Sequence, residues 1–267
     1  MELSRDRNPL FTRDMVRVKI IGSASGVPTK KRFNESVHVE FDAGSLLFDC
    51  GEPCSARLIR EDIDYNDIGS VFVSHLHCDH VAGLPQLIQT MQLTSREKPL
   101  NLFLPSEGIE RLKKYFEMLY LVEDILPFTM NIEAVREGAF FEDPGVRVSA
   151  FANKHLDSLL SKFGKKFPEN LGESYSFLIE TEEARIAYSG DIAAVEELDR
   201  FTDNLDLLIL ELAHIEPEEV FRHVKARKLV LTHIHSDLDD KEEEIMEIGK
   251  KYAGDVVVAC DGTEVIL

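Results

Sequence analysis

Three histidines and an aspartate lie within six consecutive residues of this chain, 75–80 (His-Leu-His-Cys-Asp-His). The whole chain of 267 residues contains only 9 histidines, so chance does not explain such a density. The segment follows the apolar run 71–73 and precedes a stretch with helical periodicity, which places it where a strand ends. Side chains at every second position of an extended segment point the same way. Imidazoles and a carboxylate that converge there predict a metal site that suits zinc, and equally manganese or iron.

Apolar and alternating runs of strand length recur about a dozen times, with helix-period stretches between them. Strands are predicted at 16–21, 36–41, 45–48, 70–73, 100–104, 146–151, 174–179, 185–188, 207–210, 229–232, 256–259 and 263–266, and helices at 54–60, 81–93, 107–121, 193–201, 217–224 and 241–252. This interleaving predicts an α/β protein. Residues 156–173 mix polar, Gly and Pro residues between two strands and are predicted to form a long loop or insertion.

The composition predicts one globular domain over residues 15–267, preceded by a flexible N-terminal extension over residues 1–14. No window has the length and apolarity of a signal peptide or a membrane span. The four cysteines include no Cys-x-x-Cys pair, and a chain of this length needs no disulfide. We therefore expect a cytoplasmic protein with no membrane partner.

The formal net charge is -19, from 30 Lys and Arg against 49 Asp and Glu. Such a charge repels phosphate backbones unless a local basic surface overrides it. Strong general binding to nucleic acid is therefore not expected, and solubility is the simpler explanation of the acidity.

The segment 74–80 resembles the His-x-His-x-Asp-His motif of the metallo-β-lactamase superfamily, and the likeness extends over most of the chain. The resemblance implies a four-layer αββα sandwich with a dinuclear site, holding two divalent ions, at one edge of two sheets. It implies that one ion is held by His75, His77 and His155, that the other is held by Asp79, His80 and His233, and that Asp191 bridges them.

Two ions bridged by Asp191 and a hydroxide would lie about 3.5–4 Å apart and would lower the pKa of bound water towards neutrality. The implied reaction is hydrolysis. Asp79 is a catalytic candidate, because its carboxylate could take or pass a proton during attack.

The roles of several histidines and of one thiol have alternative interpretations. His235 lies two positions after His233 and could replace it as the late ligand; we choose His233 because it follows the strand directly. His38 and His223 are predicted to be packed or exposed side chains rather than ligands. Cys78 occupies the variable position of the motif and is predicted to be a filler.

Two further stretches are similar to the ribonuclease Z and related phosphodiesterase-like branch: the Gly/Ser-rich loop at 21–29 and the segment 45–52. In this branch Asp49 is expected to orient a ligand imidazole. A histidine ahead of the final helix assists leaving-group protonation there, so His214 is the candidate proton donor. The alternative role for His214 is a hydrogen bond that stabilises a turn.

Other features of the sequence differ from those of enzymes that process tRNA. Residues 156–173 are short compared with the long arm by which ribonuclease Z grips tRNA, and the sequence around His214 is compressed. Basic residues at 30–32 and 222–228 could face a phosphate, although salt bridges to neighbouring acids are the more ordinary explanation. The expected substrate is therefore a small phosphodiester, with RNA as the alternative, and a homodimer is left open.

Two other functions are compatible with the same residues. A thioesterase or lactonase would keep the fold and the metals, and a non-hydrolytic metal-binding or redox sensor would use Cys78 beside the site.

Overall fold

The structure, a computed structural model, describes residues 15–250, 252 and 254–267, and the predicted N-terminal extension over residues 1–14 lies outside them. Fourteen strands and seven α-helices form within this part of the chain. The strands are β1 (Arg17–Gly22), β2 (Ser36–Phe41), β3 (Gly44–Phe48), β4 (Ile68–Phe72), β5 (Leu100–Leu104), β6 (Met130–Ala134), β7 (Gly138–Asp143), β8 (Val146–Ala152), β9 (Tyr175–Thr181), β10 (Arg185–Tyr188), β11 (Leu207–Leu212), β12 (Lys228–Ile234), β13 (Asp255–Val258) and β14 (Glu264–Ile266). The helices are α1 (Cys54–Arg60), α2 (Cys78–Val81), α3 (Leu84–Leu93), α4 (Ile109–Met118), α5 (Asp157–Phe163), α6 (Pro217–His223) and α7 (Glu242–Gly249).

The strands form two mixed seven-stranded sheets. The first has the order β14-β1-β2-β3-β4-β5-β6, and the second has the order β13-β12-β11-β10-β9-β8-β7. Strands β3 to β6 pair in parallel, as do β10 to β13, and the other neighbours pair antiparallel. Parallel strands end at the same edge of their sheet, so the segments that follow them are neighbours in space.

The inner faces of the two sheets bury a common aromatic core. The Phe72 ring of the first sheet stacks on Phe48 and Phe103, with centroids 5.0 and 5.1 Å apart. From the second sheet, Phe141 and Phe177 approach the same ring at 5.2 and 6.0 Å. Aromatic side chains bury large apolar areas, so this cluster is a principal contact between the sheets.

Helices cover both outer faces. Val71 of the first sheet is fully buried in a cluster with Leu58 of α1 and Leu87 of α3. Leu231 of the second sheet is likewise buried in a cluster with helices α6 and α7. The layers therefore run helix, sheet, sheet, helix, and the predicted αββα sandwich is confirmed.

The structure differs from the sequence prediction in several elements, and the helix expected over 81–93 is divided into α2 and α3. Strands β6 and β7 were not predicted, and α5 forms inside the segment expected to be a loop. The helix expected over 193–201 is instead a 3-10 turn at Val195–Arg200. No helix in the described part of the chain has the length and apolarity needed to span a bilayer.

Candidate metal centre

The ends of four strands bring the predicted site residues together. The segment after β4 carries His75 and His77 and runs into α2, which contains the other two residues of the motif. His155 follows β8, and Asp191 follows β10 through a Gly turn. His233 lies near the end of β12, where its φ of 50° is in the left-handed region.

These residues form two groups of side chains with ligand atoms within 4.8 Å of one another. One group consists of His75, His77, His155 and Asp191; the other consists of Asp79, His80 and His233. Asp191 also forms a third group with His214 and His233, so its carboxylate is shared between the two sides. We refer to the seven residues of the first two groups as the His–Asp cluster.

Nitrogen atoms of neighbouring imidazoles face one another on both sides of the cluster. His77 Nδ1 lies 3.2 Å from His155 Nε2. On the other side, His80 Nε2 lies 3.2 Å from His233 Nε2. Ring nitrogens pointed at a common space are the arrangement that a cation between them requires.

The Asp191 carboxylate lies between these two sides. Its Oδ2 is 3.7 Å from His75 Nε2 and 3.5 Å from His155 Nε2. Its Oδ1 is 3.4 Å from both His80 Nε2 and His233 Nδ1. Each oxygen of this buried side chain therefore faces one side of the cluster.

Asp49 orients His80, as the sequence predicted. Its Oδ2 accepts hydrogen bonds from His80 Nδ1 at 2.7 Å and from the Tyr188 hydroxyl at 2.6 Å. Its Oδ1 accepts the Ser74 backbone N–H at 2.7 Å. With Nδ1 committed to Asp49, His80 presents Nε2 to the cluster.

Glu35, which was not predicted as a site residue, fixes the backbone at His233. Its buried carboxylate accepts the His233 backbone N–H at 3.0 Å and the Thr232 hydroxyl at 2.9 Å. Burial raises the pKa of Glu35 to about 8, against the opposing effects of His233 and Thr232. The sequence gives only a weak signal, an acid directly before a buried strand.

Glu211 holds His214 at the rim of the cluster. Its buried carboxylate pairs with His214 Nδ1 at 3.0 Å and accepts the backbone N–H groups of Ala213 and His214 at 2.7 and 2.9 Å. The hydrogen bond to Glu211 raises the pKa of His214. His214 is half-exposed, and its ring centroid lies 4.8 Å from that of His155.

Burial favours neutral imidazoles on one side of the cluster. Desolvation lowers the pKa of His75 well below its ordinary value and that of His155 to about 4. It also lowers the pKa of His77. Neutral imidazoles keep a lone pair free for a metal ion.

The carboxylates dominate on the other side. Burial opposes protonation of His80 and His233, but Asp191 acts together with Asp49 at His80 and with Asp79 at His233, and the pKa of both is raised, to about 9 for His233. Burial opposes ionisation of Asp191 in turn, yet His233 and His80 hold its pKa well below the usual range. This side therefore requires positive charge, supplied by protons or by a cation.

Several buried polar atoms of the cluster have no hydrogen-bond partner in the described part of the chain, and they indicate whether the cluster fits metal ions. His75 Nε2, Asp191 Oδ1 and His233 Nδ1 are buried without a hydrogen-bond partner among the described residues. A buried polar atom without a partner costs about 1–3 kcal/mol, and these three face the interior of the cluster. Coordination to a cation would satisfy them, so the residues fit a metal centre.

The remaining histidines lie outside the cluster. His235 is half-exposed and its Nδ1 accepts the Asp237 backbone N–H. His38 is buried within β2, where burial and nearby Lys19 and Arg17 lower its pKa to about 4. His223 pairs with Asp199 at 2.7 Å. Cys78, although next to the cluster in sequence, is exposed.

Three of the seven Lys and Arg residues at 30–32 and 222–228 are paired with acids. Arg32 is fully buried and bonded to Asp239 and Glu242. Lys31 pairs with Asp240 at 2.7 Å, and Arg227 pairs with Asp206 at 2.9 Å. The salt-bridge explanation therefore holds for these three residues.

Comparison with known proteins places the chain in a sequence family. The family described as anti-Pycsar protein Apyc1 matches residues 16–230. Ribonuclease Z of Methanosarcina acetivorans is 28% identical, over 92% of this chain and 96% of its own length.

Solved structures share the fold. The metallo-β-lactamase fold protein YhfI from Bacillus subtilis superposes with a TM-score of 0.77 at 20% identity, over 95% of this chain and all of its own. The short form of human tRNase Z superposes with a TM-score of 0.69 at 20% identity, over 93% and 98% of the two chains. The resemblance to the metallo-β-lactamase superfamily and its ribonuclease Z-like branch is thus confirmed.

Proposed function

The chain belongs to the family of the anti-Pycsar protein Apyc1. We propose that it is a metal-dependent hydrolase of phosphodiester bonds. The observation that carries the proposal is the His–Asp cluster, with its unpartnered buried atoms, in a chain related over most of its length to a ribonuclease Z. Enzymes that catalyse hydrolysis commonly bind their metal ions through imidazole and carboxylate ligands.

We assign His75, His77 and His155 to one ion, Asp79, His80 and His233 to a second, and Asp191 to both. Zinc suits this set of nitrogen and oxygen ligands, and manganese or iron are alternatives. When bound, the ions would supply positive charge that lowers the pKa of a water molecule and polarises a phosphoryl oxygen.

The chain's own residues supply orientation and proton transfer. Asp49 and Glu35 hold His80 and His233 in place. Asp79, whose Oδ2 accepts a hydrogen bond from His233 Nε2 at 3.2 Å, is placed to take a proton from the attacking water. His214, paired with Glu211, is the proton donor to the leaving group.

A small phosphodiester is the proposed substrate, because the net charge of -19 opposes a long polyanion. The described residues include four unpaired cysteines, which fits the reducing cytoplasm that we propose as its location.

Hydrolysis of bis(p-nitrophenyl) phosphate tests the proposal. We expect turnover by the zinc-loaded protein, loss of turnover on chelation, and recovery when the metal is restored. His233→Ala should lower kcat/KM by about 100-fold or more, because it removes a ligand. His235→Ala is the matched control, since its half-exposed side chain lies outside the cluster, and it should stay within about twofold.

A fully metal-loaded protein that cleaves no phosphodiester would contradict the proposal. Turnover of acyl thioesters or lactones in the same assay would support the alternative reaction at a carbonyl carbon.

A further inference from the structure

A cavity of about 580 Å³ opens beside the His–Asp cluster, between α4 and the segment 156–172. The cavity shares His77 with the cluster, so a molecule bound at the cluster can extend into it. Its volume lies within the range of about 300–1,000 Å³ typical of small-molecule sites. Much of its lining is apolar: Leu76, Leu112, Leu159, Leu160, Phe163 and Phe167.

Hydrogen bonds at one side of the cavity hold its shape. The Glu107 carboxylate accepts the backbone N–H groups of Leu171, Gly172 and Glu173 at 2.6, 3.0 and 3.0 Å. Gly172 has a φ of +72°, and a Cβ there would lie only 3.2 Å from Leu160 Cδ2. The chain therefore packs tightly behind α5, which holds this wall of the cavity in place.

The charged groups of the lining do not favour a second phosphate. Arg111 carries the guanidinium of the described lining, and it is bonded to Asn170 Oδ1 at 2.7 Å and Glu169 Oε2 at 3.0 Å. The Glu107 carboxylate would repel an anion. These groups therefore disfavour an anionic group in this cavity.

Three aromatic side chains in the lining remain partly exposed. Tyr115, Phe163 and Phe167 are 45%, 46% and 56% exposed. Covering such rings with another ring gains burial and a favourable stacking or edge contact.

We propose that this cavity receives an aromatic group of a small phosphodiester whose phosphate lies at the His–Asp cluster. This inference rests on the proposed function, which supplies the phosphate position. Continuity with the cluster through His77 favours a part of the substrate over a second copy of this chain as the occupant.

A single tryptophan can report on the cavity, because the chain contains none. In a Tyr115→Trp variant loaded with zinc, titration with phenylphosphonate should shift the emission and give a Kd about tenfold lower than that of methylphosphonate. The two probes carry the same anionic head and differ in the aromatic ring.

Phe163→Ala in this background should reduce the preference for the phenyl compound by about threefold to tenfold. Helix α5 has no buried residues, so this truncation leaves the core intact. Leu93→Ala, at a 75% exposed position of α3 outside the cavity, should leave the preference unchanged.

Equal affinity for the two phosphonates, or a preference that Phe163→Ala does not alter, would overturn the inference. If the tryptophan emission of the Tyr115→Trp variant shifts with protein concentration in the absence of ligand, a second copy of the chain occupies the cavity, which would also overturn it. The titration needs no turnover. It therefore still decides the role of the cavity if the zinc-loaded protein hydrolyses no diester, which is the separate failure of the proposed function.

Discussion

His214 depends for its position on a single buried carboxylate. Glu211 is 1% exposed, and it holds both the backbone N–H and Nδ1 of His214. A charged carboxylate next to an imidazole favours the protonated form. This pairing is the physical basis for assigning proton donation to His214.

Removing His214 should matter most for poor leaving groups. We expect His214→Ala to lower kcat by about 100-fold for a diester with an alkyl leaving group, but by less than about tenfold for p-nitrophenolate, which leaves without a proton. The measurement is kcat for both diesters with the zinc-loaded variant.

His223→Ala is the control, because this histidine is bonded to Asp199 away from the cluster. Equal losses for the two leaving groups in His214→Ala would show that His214 stabilises the turn instead.

The supporting acids illustrate the limit of sequence reasoning about individual residues. Glu35 and Glu211 stand among 49 acidic residues, and the local sequence signals their burial only weakly: Glu35 lies directly before a buried strand, and Glu211 lies inside an apolar run. Glu35 meets His233 only through tertiary packing, because the two lie 198 positions apart in the chain, whereas Glu211 lies three positions before its partner His214. Asp49 was predictable because the segment around it resembles a known one.

The turn after β10 carries Asp191 into the cluster, and Gly190 permits its path. Gly190 has a φ of +54°, and a Cβ there would lie 2.8 Å from the Tyr175 carbonyl oxygen and 3.0 Å from Ser74 Cβ. Neither neighbour can move without shifting β9 or the segment before His75. The turn therefore requires glycine for two reasons, conformation and space.

Gly190→Ala should lower the free energy of unfolding of the metal-free protein by about 2–4 kcal/mol, the combined cost of backbone strain and overpacking. Zinc affinity should also fall, because Asp191 would be displaced. Urea unfolding and competition with a zinc chelator measure the two effects.

Gly138→Ala provides the matched control. Gly138 has a φ of +87°, but no described atom lies within 4 Å of a Cβ at that position. We expect a cost of about 1 kcal/mol from the backbone alone and unchanged zinc affinity. Equal costs for the two substitutions would remove crowding as the reason for Gly190.

The elements that the sequence did not predict lie at edges and on the surface. Strands β6 and β7 are the edge strands of their sheets, and neither has a continuous apolar run. Helix α5 has no buried residue, so the apolar periodicity that marks a helix packed on a core is weak there. Central strands such as β11, buried at every position, were predicted from their apolar runs.

The charge of the entire chain sets which substrates can approach. Two of the three basic residues at 30–32, Lys31 and Arg32, are paired with acids, so this segment offsets little of the net charge of -19. Long-range repulsion therefore acts on a polyanion, whereas a single phosphate at the His–Asp cluster would meet a local field set by the proposed ions.

Transfer RNA should therefore be a weak competitor. At about 0.15 M salt, about 10 μM tRNA should slow hydrolysis of bis(p-nitrophenyl) phosphate by less than about twofold, because the net charge of -19 repels a polyanion. Initial rates with increasing tRNA measure this, with phenylphosphonate as the positive control. Inhibition at submicromolar tRNA that weakens steeply with salt would instead indicate an RNA substrate.

The most reliable predictions from the sequence concerned residues that lie close together in the chain. The four ligand candidates at 75–80 share a short segment after a strand, so their proximity follows from covalent connection and strand geometry. Strongly apolar runs likewise predicted the central strands, because burial on both faces demands apolar side chains.

Packing of the two sheets decided the rest. It placed His155, Asp191 and His233 against that segment and left His235 outside the cluster. It also formed the apolar cavity between α4 and α5 and paired Arg32 with its acids. Contacts between residues far apart in the chain depend on how whole layers pack, and one sequence read locally does not contain those distances.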